Sequence, residues 1–103
     1  MTLVVILTVR PEALEQFRAF ETAAARIMER HGGALERAVV IPPSQPSGPM
    51  KEVHLVTFPG PDAFAAYRND GELKALAHLR EASVVSTEVL VGGEGPDYRA
   101  LAR

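Results

Sequence analysis

The spacing of apolar positions changes period several times along the chain, and each change marks an element. Residues 2–9 (Thr-Leu-Val-Val-Ile-Leu-Thr-Val) are β-branched and apolar on both alternating faces, with Leu3, Val5, Leu7 and Val9 on one and Val4 and Ile6 on the other. Such a strand is expected to be covered on both sides. From Pro11 the period lengthens: Leu14, Phe17, Phe20, Ala24, Ile27 and Met28 recur at helical spacing. Pro11 suits the first helical position, and Glu12 and Glu15 lie near the positive end of the helix dipole. The helix is predicted to run to about His31 and to stop at Gly32-Gly33, where glycine accepts the left-handed conformation.

Period-two alternation returns over residues 34–41, with Leu35, Val39 and Ile41 on one face and Ala38 and Val40 on the other. Residues 42–50 (Pro-Pro-Ser-Gln-Pro-Ser-Gly-Pro-Met) suit neither ladder nor helix and read as an exposed hairpin loop. A third strand follows over 51–58. Gly60-Pro61-Asp62 then starts a helix: Gly60 can cap, Pro61 fits the first position, and Asp62 suits the dipole. Asn69-Asp70-Gly71 interrupts this helix, and Asp70 can cap a further segment through about Arg80. Residues 83–91 form the fourth strand, ended by Gly92, Gly93, Gly95 and Pro96.

The order β-α-β-β-α-β with right-handed crossovers gives an α+β, ferredoxin-like fold: a four-stranded antiparallel sheet with both helices on one face. Residues 1–92 make one domain and residues 93–103 a short polar tail. The other sheet face would be bare although the first strand is apolar on both sides, so a homodimer that pairs sheet on sheet is expected.

Composition narrows the function classes. The chain has 103 residues, 47% hydrophobic and 23% charged, which suits a single globular domain rather than a disordered one. Eleven Lys and Arg lie scattered among 13 Asp and Glu, for a net charge of −2. No basic face recommends nucleic acid or an anionic membrane as a partner. There is no cysteine, hence no disulfide, thiolate metal site or cysteine nucleophile. The longest apolar run, Leu3 to Leu7, is too short to span a bilayer, and the start of the chain lacks the pattern of a signal peptide, so a cytoplasmic location is expected.

Several short motifs occur together: His31-Gly32-Gly33; His54-Leu55-Val56-Thr57-Phe58-Pro59-Gly60; Ala63-Phe64-Ala65-Ala66-Tyr67-Arg68-Asn69-Asp70; and Leu76-Ala77-His78-Leu79-Arg80. Over most of residues 2–92 the chain resembles a bacterial family of unknown function within the dimeric α/β-barrel superfamily. The resemblance implies a ferredoxin-like monomer whose sheet pairs with a second copy to close a barrel, and a pocket between sheet and helices. The superfamily includes cofactor-free monooxygenases, haem-degrading enzymes, small isomerases and dehydratases, and ligand-sensing modules. Many members of the family carry an acid just before Phe-Pro; this chain has Thr57 there, which argues against an acid/base role at that position.

Polar residues on core-facing stripes are the candidate chemistry. Glu21 falls inside the apolar arc of the first helix, as a pocket acid or base, or as a stripe-edge residue paired with an arginine. Arg80 sits on the apolar side of the later helix, as an anchor for a carbonyl or carboxylate, or as an ion-pair partner of Glu21. His54 lies mid-strand on the face of Glu52, Val56 and Phe58, as a general base or as a hydrogen-bonded interface residue. Tyr67 shares a helix face with Phe64, as a donor to a ligand or as core packing. His78 falls on the polar side, against an axial haem role, and His31 serves the dipole at a helix C-terminus. The histidines have no metal spacing. The third strand lacks the aromatic platform of RNA-recognition domains, and no Gly-rich loop cradles phosphate.

The residues thus point to a small-molecule pocket protein, with no cofactor expected. The resemblance implies a cofactor-independent oxygenase- or isomerase-like enzyme, and the core-facing polar residues would then serve as His54 and Glu21 catalytic and Arg80 and Tyr67 substrate-binding. The alternative is a non-catalytic ligand-binding or dimerisation module.

Overall fold

In the computed structural model, which describes residues 1–102, the first strand, β1 (Thr2–Val9), lies inside the sheet rather than at an edge. After a single 3-10 turn at Pro11–Ala13 comes the long helix α1 (Leu14–Arg30). It ends in a Schellman arrangement: Gly32 takes φ +75°, its N–H donates to Glu29 O, and the Gly33 N–H donates to Met28 O, both at 3.0 Å. Strands β2 (Ala34–Ile41) and β3 (Met50–Thr57) form a hairpin, followed by α2 (Pro61–Arg68), α3 (Gly71–Ala75), α4 (Ala77–Ser83) and β4 (Val84–Gly92). The sheet is antiparallel throughout with order β2-β3-β1-β4, the ferredoxin-like topology.

The face of β1 that carries Leu3, Leu7 and Val9 packs under the helices. One core cluster joins Leu7 and Val9 to Phe17, Met50 and Val84; another joins Leu3 to Met28, Val56 and Phe58. Phe17 is fully buried, and a side chain of that size contributes roughly 1.5–3 kcal/mol on burial. Arg10 locks the end of β1 to the α4–β4 junction. Its N–H donates to Ser83 O at 2.9 Å, and its guanidinium donates to Glu81 O and Val84 O.

Four local expectations are corrected. First, β2 carries a bulge between Leu35 and Arg37, so its alternation is not continuous. Leu35 pairs with Val56, whereas Val39 pairs with Val53 and Ile41 with Lys51. Leu35 therefore joins Ala38 and Val40 on the helix side, and Val39 and Ile41 face away, because the extra residue reverses the pleat. Second, Met50 is the first, buried residue of β3 and not part of the loop. Third, the second helical region breaks again at Leu76 and continues to Ser83, so the segment capped by Asp70 is only one turn of α3. Fourth, the tail forms a short helix, α5 (Tyr98–Leu101), capped by Asp97.

The sheet face turned away from the helices presents Val4, Ile6, Val39, Ile41, Val53, Leu55 and Leu90. Of these, Val39, Ile41, Leu55 and Leu90 are each more than 40% exposed. No helix among the described residues is long and apolar enough to cross a membrane.

Candidate functional site

Three cross-strand rows of β3, β1 and β4 run under a cavity, Glu52–Leu7–Thr87, His54–Val5–Val89 and Val56–Leu3–Val91, and all of these residues except Glu52 line it. Helix α1 supplies Phe20, Glu21 and Met28 as one wall, and α2 to α4 supply Phe64, Tyr67, Arg68, Leu73, Ala77 and Arg80 as the other. The cavity measures about 660 Å³, within the range of small-molecule sites. Its walls are mostly apolar, and His54, Glu21, Tyr67 and Arg80 all line it.

His54 is buried on the floor. Its Nε2 lies 2.8 Å from Glu52 Oε1, and its Nδ1 faces Glu21 Oε2 at 3.7 Å. Glu52, at the shorter distance, favours the tautomer with the proton on Nε2, in which Nδ1 is the accepting nitrogen. The ring thus has a defined orientation, with Nδ1 on the side of Glu21. Glu52 is itself buried. Its Oε2 accepts no hydrogen bond and has the half-exposed Arg18 guanidinium at 3.5 Å, close enough for charge attraction. This carboxylate was not singled out from the sequence, although its place two residues from His54 on one strand face was a usable signal.

Glu21 sits two turns before Met28 on the inner stripe of α1. Burial pushes its carboxyl above the usual value, and the Glu52 charge adds to this; His54 and Arg80 oppose it. Arg80 does not form the ion pair with Glu21 that the sequence left open. Its Nη2 instead donates to Thr87 Oγ1 at 2.6 Å. Tyr67 packs against Phe58 with ring centroids 5.5 Å apart. Burial, and then the charge of Glu21, push its phenol up to about 12, so it stays a hydrogen-bond donor throughout the neutral range. Phe58 also meets Phe64 at 5.3 Å, which completes an aromatic wall.

Two histidines lie elsewhere. His78 is exposed, with Nδ1 at 3.1 Å from Ala75 O. His31 does more than complement a dipole: its Nε2 lies 2.8 Å from Asp70 Oδ2, tying the end of α1 to the α2–α3 junction. That contact, together with the Glu72 N–H on Oδ1, holds the Asp70 carboxyl below its ordinary value. Among the described residues no group of three or more His, Asp or Glu side chains is arranged to hold a metal ion.

No family model and no curated protein matches this chain. Solved structures do. A protein of unknown function from Rhodopseudomonas palustris is 18% identical, with a TM-score of 0.73 over 92% of this chain and 83% of its own. A candidate antibiotic biosynthesis monooxygenase from Nitrosomonas europaea is 13% identical, with a TM-score of 0.68 over 90% and 88%. SnoaB, a cofactor-independent oxygenase from Streptomyces nogalater, is 16% identical, with a TM-score of 0.61 over 91% and 93%. At these identities the likeness establishes the ferredoxin-like α+β fold shared with monooxygenase-type proteins.

Proposed function

We propose that this protein is a cofactor-independent, oxygenase- or isomerase-like enzyme that removes a proton from a small apolar substrate held between sheet and helices. The observation that carries this reading is His54, buried on the cavity floor between Glu52 at 2.8 Å and Glu21 at 3.7 Å. Nδ1 takes a proton from an acidic carbon beside a carbonyl or aromatic ring. Glu52 stabilises the imidazolium that results, as a carboxylate behind a catalytic histidine does. Tyr67 donates to the oxygen on which negative charge develops. The electron pair left on carbon is either reprotonated elsewhere, which is isomerisation, or attacks dioxygen. In the second case a methylene and O2 yield a carbonyl and water. The likeness of fold to a cofactor-independent oxygenase supports the second branch.

The working unit is a homodimer of residues 1–92 joined through the outer sheet face, a dimeric α/β barrel, with residues 93–103 as a tail. The exposed apolar side chains Val39, Ile41, Leu55 and Leu90 support it, because a monomer leaves them in water.

The test uses 2-tetralone as the probe, in D2O, with deuterium incorporation read by mass spectrometry. Wild type is expected to accelerate exchange over buffer, and His54→Gln to lose about 100-fold of that acceleration. Equal exchange with both proteins would leave the cavity as a ligand-binding site without catalysis. Native mass spectrometry reports the dimer in parallel.

A further inference from the structure

We propose that the ligand of this cavity is an organic carboxylate, an apolar body inside with its charged end held at the rim by Arg68 and Arg80. The proposal rests on the reading of the cavity as a ligand site and names the class of molecule that enters it.

Both arginines line the cavity, and among the described residues neither has a carboxylate within ion-pair distance. Among the described residues Arg18, Arg30 and Arg99 each sit within 4 Å of a carboxylate, at 3.5, 3.3 and 3.7 Å; Arg10, Arg26, Arg37, Arg68 and Arg80 form no such pair, and of these only Arg68 and Arg80 line the cavity. Neutral groups hold them instead. Arg80 gives one N–H to Thr87 Oγ1 at 2.6 Å, and Arg68 lies over the Phe64 ring, 5.5 Å from its centroid. A guanidinium has five N–H donors in a fork that fits a carboxylate. One hydroxyl and one ring face fix each head without consuming that capacity.

The charge layout gives the ligand a direction. His54 on the floor is flanked by two carboxylates, Glu21 on the α1 wall and Glu52 behind the lining, and an anionic head is repelled from that end. On the α2–α4 side the lining carries two cations, Arg68 and Arg80. Between them the lining is apolar, from Val5, Val56, Phe58 and Phe64. A ligand with one anionic end and an apolar body satisfies all three zones, and its uncharged end then lies over His54.

Three isosteric probes test this: 2-naphthoate, 2-naphthamide and 2-naphthamidine, titrated by ligand-observed NMR. Naphthoate is expected to bind wild type about tenfold more tightly than the amide, and more tightly than the amidine, whose cation Arg68 and Arg80 repel. Arg68→Gln and Arg80→Gln are each expected to remove several-fold of the naphthoate affinity and leave the amide unchanged. Retained amide binding also shows that each variant keeps its cavity. Equal affinity for naphthoate and naphthamide overturns the carboxylate proposal while the cavity stands as a ligand site. So does an arginine variant that weakens both probes alike. Failure of all three probes to bind overturns both readings together.

Discussion

His54 Nε2 and Glu52 Oε1 are 2.8 Å apart although the residues lie on the same strand, two positions from each other, with both side chains buried. Residues at i and i+2 share a face and point in parallel, so their tips meet only when each bends toward the other. Here the half-exposed Arg18 of α1 sits at the far oxygen of Glu52. The geometry makes Glu52 a positioning residue for His54. Glu52→Gln is expected to lower tetralone exchange by about 10- to 100-fold, with little change in the affinity for 2-naphthamide. Glu52→Ala, which leaves His54 without its buried partner, is expected to cost about 1–3 kcal/mol in chemical denaturation. Unchanged exchange in Glu52→Gln would remove the positioning role.

The Glu21 carboxyl gives stability a defined dependence on pH. In the unfolded chain it loses its proton near 4.5, whereas burial lets the folded protein keep that proton to higher pH. Over that window the folded state binds more protons, so stability falls as pH rises, and above it the loss stays constant. Glu21→Gln removes the group. Its melting temperature is expected to gain on that of wild type as pH is raised from 4.5, and to exceed it at neutral pH. Parallel profiles for the two proteins would show that Glu21 is not desolvated in solution.

Gly33 is a packing requirement rather than a turn requirement. Its φ is not positive, yet an added Cβ would press on the ring of Phe58 and come within 2.7 Å of Met28 Cγ. Gly33→Ala is expected to destabilise by about 1–3 kcal/mol. Because Phe58 must turn aside, naphthamide binding is expected to weaken as well. Gly32→Ala, by contrast, is strained by the φ of +75° and costs about 1–2 kcal/mol without touching the ligand. Thermal melts with naphthamide titrations separate the two cases.

Leu55 is 41% exposed at the middle of the outer sheet face, opposite Val4 and Arg37 on its neighbouring strands. A glutamate there is harmless in a monomer and is desolvated in a sheet-to-sheet dimer. Leu55→Glu is expected to raise the dimer dissociation constant roughly 100-fold, read by sedimentation equilibrium. Identical sedimentation of variant and wild type would place the interface elsewhere.

Element order and most element boundaries follow from signals that act within one turn or one pleat. Pro11 and Pro61 start helices, Gly32 and Asp70 stop and restart them, and the period switches between two and three to four. The same periods mark Glu21, His54, Tyr67 and Arg80 as polar residues on core-facing stripes, because a face is a local property of the backbone. What joins them is not local. The bulge that turns Leu35 toward the helices and Val39 away exists only because β3 supplies the register. The Glu52–His54 contact, the Thr87 hydroxyl that takes Arg80 away from Glu21, and the His31–Asp70 tie across 39 positions depend on rotamers chosen by neighbours far along the chain. The sequence by itself determined which residues could reach the cavity. The tertiary structure decided which of them meet, since side-chain direction is set by packing against partners that no window of the chain contains.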